Sequence, residues 1–238
     1  MEGIEMYSRY RERIGAATGA AFVVAIFVGN GLATAGQPQS DHPTGQEVLS
    51  NAAHAAASTT ATIGSVLEVL GFVLFMVFVG HLWAMLQPGT ARSQAAVGTS
   101  VVGAITMLAV KLGSAAPVMA LDLARDRLDP SIAQVLYDIN GAAFVVSWLP
   151  FAVFAGSLAV ALHSAGLVGR PTQYIGVIAG VGGVAATVAG MKDALGANPM
   201  VFIAGMAWLL VVTIRLAVRP GRPATAVRRV PDDAPARA

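Results

Sequence analysis

Six apolar runs separated by short polar stretches set the pattern of this chain: residues 15–36, 61–86, 95–119, 132–163, 174–191 and 200–218. Each approaches or exceeds the ~20 residues an α-helix needs to cross about 30 Å of hydrocarbon. The pattern predicts an all-α, polytopic integral membrane protein, a bundle of six transmembrane helices filling residues 15–218. Ahead of the bundle, the polar segment 1–14 (MEGIEMYSRYRERI) reads as a brief helix on the membrane surface, with Ile4, Tyr7 and Tyr10 facing lipid. Behind it, the Pro- and Arg-rich tail 219–238 lacks the apolar content to fold and is expected to be disordered.

The polar stretches refine this picture. Residues 37–60 hold no Lys or Arg and turn alanine-rich, which predicts a loop that becomes a short helix near 46–58. Gln87-Pro88-Gly89-Thr90 predicts the tight turn between the second and third helices. Residues 120–131 form a connector of alternating charge, and Trp148 beside Pro150 predicts a kink in the fourth helix. The beginning has a rival reading. A basic segment, an apolar core and Ala33-Thr34-Ala35 also resemble a cleaved secretory signal peptide.

Composition agrees with the membrane class. The chain is 55% hydrophobic and 12% charged, against about 25% charged in a soluble domain. It contains no cysteine, which excludes disulfides, thiolate metal sites and cysteine nucleophiles. The predominance of Arg over Lys, with much Ala, Gly and Val, points to a bacterium of high genomic GC. Six spans put both termini on one side. That side carries Arg9, Arg11, Arg13, Arg92, Arg170, Arg215, Arg219, Arg222, Arg228, Arg229 and Arg237, and the other only Arg125, Arg127 and Lys192. The positive-inside rule therefore predicts a multi-pass protein of the cytoplasmic membrane with both termini cytoplasmic.

Two charges break the apolar pattern. Glu68 and Lys111 interrupt the second and third runs, where a lone charge costs about 2.5–3.5 kcal/mol on insertion scales. With the predicted orientation and a rise of 1.5 Å per residue, both lie about 12 Å below the outer surface, and Asp138 about 9 Å. Helices joined by a short turn are usually neighbours, so a Glu68–Lys111 ion pair is expected. Small and polar residues around them, including Gly64, Ser65, Gly71, Ser100, Gly103 and Ser114, mark helix contact rather than lipid contact. Two readings follow. In one, the charges only specify which helices pack together, as in a structural or accessory subunit. In the other, Glu68, Lys111, Asp138 and Asn140 line an outward-facing polar site that binds or transports a small polar solute or protons.

His81 and His163 lie at comparable depth and form the one pair that could ligate haem; the ordinary role of such histidines is an interfacial contact. His42, Glu47 and His54 match no metal motif. Neither cofactor nor metal is expected. Gly15/Gly19 and Gly176/Gly180 permit close helix approach and say little of oligomeric state. No nucleophile elbow, zinc-protease, P-loop or dinucleotide-binding pattern is present, so an enzyme is not expected. The expected partner is the lipid bilayer, with anionic lipid against the arginines of the tail at about 1 kcal/mol each, and no nucleic acid. Tyr137-Asp138-Ile139-Asn140-Gly141, the aromatic helix with Pro150, and His163-Ser-Ala-Gly-Leu-Val-Gly-Arg-Pro before a Gly-rich helix resemble a group of uncharacterised bacterial multi-spanning proteins, a domain of unknown function. The resemblance covers about residues 132–190. It implies a small helical membrane protein and assigns no site residues.

Overall fold

The structure, a computed structural model, describes residues 2–35, 43–87, 91–190 and 200–218. Its elements are α1 (Glu2–Ala33), α2 (Gly45–Ala57), α3 (Thr59–Leu86), α4 (Ala91–Ala124), a 3-10 turn (Arg125–Arg127), α5 (Pro130–Val146), α6 (Trp148–Ser164), α7 (Arg170–Gly190) and α8 (Met200–Val218). Among the described residues there is no strand. Five stretches are long and apolar enough to cross a bilayer: Glu12–Ala33, Thr59–Leu86, Ser93–Arg127, Pro130–Ser164 and Arg170–Ala189. Phe202–Val218 is a shorter apolar helix. The chain is a polytopic helical membrane bundle; helices satisfy backbone groups internally, as hydrocarbon requires.

Besides earlier starts of α4 at Ala91 and α7 at Arg170, boundaries differ from the sequence reading in three places. α1 is one helix from Glu2, because no breaker separates the polar segment from the apolar run. α4 runs five residues past the predicted end at 119, through Pro117, so only the last part of the 120–131 connector is a turn. Asp129 then caps α5, with Pro130 in the first helical position, where its missing N–H costs nothing. The fourth span is broken rather than merely bent. Pro150 has no N–H to give the Val146 carbonyl, and the chain restarts at Ser147. Ser147 is fully buried and its Oγ donates to the Phe144 carbonyl at 2.6 Å, so the break is satisfied from within. The 88–90 turn, residues 36–42, the Lys192 loop and the 219–238 tail lie outside the described residues.

α1 packs chiefly on α3 and then on α8; α6 packs on α4 and α7, and α7 meets α8. Glycines set these approaches. A Cβ on Gly64 of α3 would stand 2.6 Å from the Gly29 carbonyl oxygen of α1, and one on Gly180 of α7 would stand 3.0 Å from Gly156 Cα of α6. Gly19, from the first glycine pair, lies against Phe78 and Thr213. At the centre runs a chain of rings. Phe22 meets Phe75 at 4.5 Å, Phe75 meets Phe154 at 5.3 Å, and Phe151 continues to Phe202 at 5.1 Å and Trp148 at 6.1 Å beyond it. In lipid such interfaces are held by packing, since apolar burial itself gains little there.

The short helix α2 seats on α5, with lighter contacts to α3 and α4, and buries Val48 and Ala52, four residues apart on one face. Gly45 lets it touch the Pro130 backbone. Its start is a capping box: Thr44 N–H donates to Glu47 Oε2 at 2.7 Å, and Glu47 N–H donates to Thr44 Oγ1 at 3.3 Å. The Thr44 backbone, then its hydroxyl, holds the Glu47 carboxyl below its ordinary value of 4.5. The Ser131 hydroxyl, then its backbone N–H, does the same for Asp129 below 3.8. A carboxyl depressed on folding contributes stability above its unfolded value and loses it as pH falls through the folded one. Both caps should therefore hold at neutral pH and fray below about pH 4. A nitroxide at exposed Ser50 (Ser50→Cys in this cysteine-free chain) should gain mobility over that range and stay constant between pH 6 and 8.

Candidate functional site

Glu68 lies half-buried on α3, one turn beyond Gly64. The close α1–α3 crossing lays its side chain over Gly29, where an added Cβ would come within 2.9 Å of Glu68 Cγ. Beside Gly29, the Asn30 side chain lies within reach of the Glu68 carboxylate. Lys111 is half-buried on α4, and its Nζ sits 3.8 Å from the centroid of the Phe144 ring on α5. A cation over an aromatic face is stabilised by the ring quadrupole, by up to about 2 kcal/mol where water is scarce.

The two charges feel one another electrostatically but do not close an ion pair, their nitrogen–oxygen separation exceeding 4.0 Å. Among the described residues the salt bridge is Arg125–Asp126 at 3.7 Å, in the 3-10 turn that ends the α4 stretch. The expected intimacy of the hairpin is also absent. α3 and α4 touch lightly, because α3 is drawn to α1 by Gly29 and Gly64 while Gly103 draws α4 to α6, where a Cβ would stand 2.8 Å from Pro150 O and Phe154 N. Each charge is thus held by a neutral partner from its own side.

Asn140 is half-buried, one helical turn before Phe144 and on the same face of α5. Asp138 is turned away from that face: it is exposed, and its Oδ1 accepts from Gln134 Nε2 at 3.1 Å. The structure therefore brings Glu68 and Lys111 within electrostatic reach of each other, places Asn140 on the α5 face that carries Phe144, and leaves Asp138 turned away from it. Asn30 and Phe144 were missed. Asn30 had a signal, an amide inside the first apolar run, obscured because it carries no charge. Phe144 had none, since nothing separates it from the other apolar residues of α5.

The histidines go separate ways. His81 lies against Gly15 of α1 with its Nε2 buried and without a hydrogen-bond partner. His163 Nδ1 is 3.1 Å from the Val168 carbonyl oxygen, in the turn after its own helix. Among the described residues no group of three His, Cys, Asp or Glu side chains could hold a metal ion.

The fold is that of a multi-pass helical membrane protein, with an acid, Glu68, and a base, Lys111, half-buried among its apolar helices without a closed ion pair. No protein-family model, curated protein or solved structure matches this chain.

Proposed function

We propose that this protein binds or passes a small polar solute, or protons, at a site in the outer half of its bundle formed by Glu68 and Lys111, with Asn30, Phe144 and Asn140 around them. It would lie in a cytoplasmic membrane with both termini cytoplasmic, the side that collects the arginines. One observation carries the functional reading: Glu68 and Lys111, half-buried in spanning helices, do not close an ion pair, and Lys111 lies over the Phe144 ring instead. Intramembrane ionisable groups outside a bare ion pair ordinarily serve a ligand or a proton path. The alternative, an accessory subunit in which Glu68 and Lys111 specify helix packing, is favoured by their mutual attraction.

Purified protein in vesicles should acidify or alkalinise a trapped dye under an imposed proton gradient, or bind a polar solute. Glu68→Gln and Lys111→Met should remove that activity while folded protein is still recovered. Folded wild type indistinguishable from empty vesicles in both flux and binding would leave the accessory reading standing. Orientation is tested separately. A membrane-impermeant maleimide should label Ser50→Cys in intact cells and Ser164→Cys only after lysis.

A further inference from the structure

We infer that the Glu68–Lys111 site takes a zwitterion, a ligand carrying an ammonium and an anionic group a few bonds apart, with the ammonium on Glu68 and the anion on Lys111. The inference rests on the reading of these residues as a solute site and names the chemistry of what binds there. Opposite charges in a medium of low dielectric gain most by closing on each other. Here they stay more than 4.0 Å apart, each engaged with a partner on a different helix pair, Asn30 on α1 with Glu68 on α3, and Phe144 on α5 with Lys111 on α4. The two pairs make only light contact where α3 faces α4.

Charge balance then decides among ligands. A simple cation attracted by Glu68 is repelled by Lys111, and a simple anion meets the opposite conflict. A neutral solute leaves both charges uncompensated in an apolar surround. A zwitterion set antiparallel satisfies both at once, and each of its charged ends meets a charge-assisted hydrogen bond. The short helix α2 touches α3, α4 and α5, the three helices that carry Glu68, Lys111 and Phe144. Such a ligand has two sources, a free solute or the headgroup of a zwitterionic lipid reaching between α3 and α4.

The experiment compares ligands on the unaltered, full-length protein in detergent, by calorimetric titration. Phosphoethanolamine and glycine are the zwitterions, and ethanolamine and inorganic phosphate are the single charges. Native mass spectrometry compares retained phosphatidylethanolamine with phosphatidylglycerol. At least one free zwitterion should bind roughly tenfold or more tightly than either single charge, the worth of one charged hydrogen bond; this assigns a soluble ligand. Selective retention of phosphatidylethanolamine over phosphatidylglycerol, without free binding, supports the same chemistry on a lipid. In either case Glu68→Gln and Lys111→Met should each lower that preference. Ethanolamine or phosphate binding as tightly as a zwitterion, and lost in the variants, overturns the zwitterion and keeps the polar site. No binding of any probe, free or lipid, by folded protein overturns both.

Discussion

Gly64→Leu should part α1 from α3 and sharply reduce the recovery of folded protein. Gly64 and Gly29 bring two helix backbones together, and even a methyl group at 64 would stand 2.6 Å from the Gly29 carbonyl oxygen. The neighbour on that side is main chain, which cannot swing aside as a side chain can. Overpacking of this kind costs on the order of 3 kcal/mol, a large share of the stability of a small protein. The second consequence is local to the site. Widening the crossing withdraws Asn30 from Glu68 and leaves the carboxylate without its neutral partner. Unfolding of purified protein in mixed micelles should therefore show a lowered midpoint for Gly64→Leu and a smaller change for Gly64→Ala. Gly31→Ala, two residues from Gly29 on α1, meets nothing within 4 Å and should stay near wild type. Equal behaviour of Gly64→Leu and Gly31→Ala would remove the close crossing as the element that positions Glu68.

The division between what the sequence disclosed and what it withheld follows the physics of the bilayer. Helix existence is a one-dimensional property: run length against hydrocarbon thickness suffices, and among the described residues every predicted span is helical, the fourth as two helices. The disturbance of the fourth span was legible as a kink, though not as a break, since Pro150 removes a donor whatever its neighbours do. Helix partnership is not one-dimensional. In lipid, where apolar faces have no preference for one another, glycine positions choose the neighbours. Gly29 with Gly64, and Gly103 with the Pro150 turn, therefore outrank the short connection that made α3 and α4 look like a pair. Their rotation sets the site. It sends Glu68 to Asn30 and Lys111 to Phe144, and a residue-by-residue depth estimate placed Asp138 near them without seeing that it sits on another face of α5.

Reversing one charge should damage the bundle far more than deleting it. In Glu68→Gln an amide of the same shape takes the place beside Asn30, and in Lys111→Met the thioether can lie on the Phe144 ring. Each neutral change should cost about 1 kcal/mol or less, the usual scale of a polar contact between membrane helices. The double neutral variant should cost nearly their sum, because no closed ion pair links the two residues. Glu68→Lys is different. It sets two cations within electrostatic reach of each other where little water screens them, at a cost on the order of 3 kcal/mol or more. Adding Lys111→Glu should recover most of that loss, since opposite signs again face one another. Unfolding midpoints of the five variants decide between the readings. Severe neutral singles rescued in the neutral double would make Glu68 and Lys111 a packing pair and take away the main support for a solute site. Mild neutral singles, a severe reversal and a rescued swap would show two charges that sense each other without holding the bundle together, as a site kept for a third, charged participant requires.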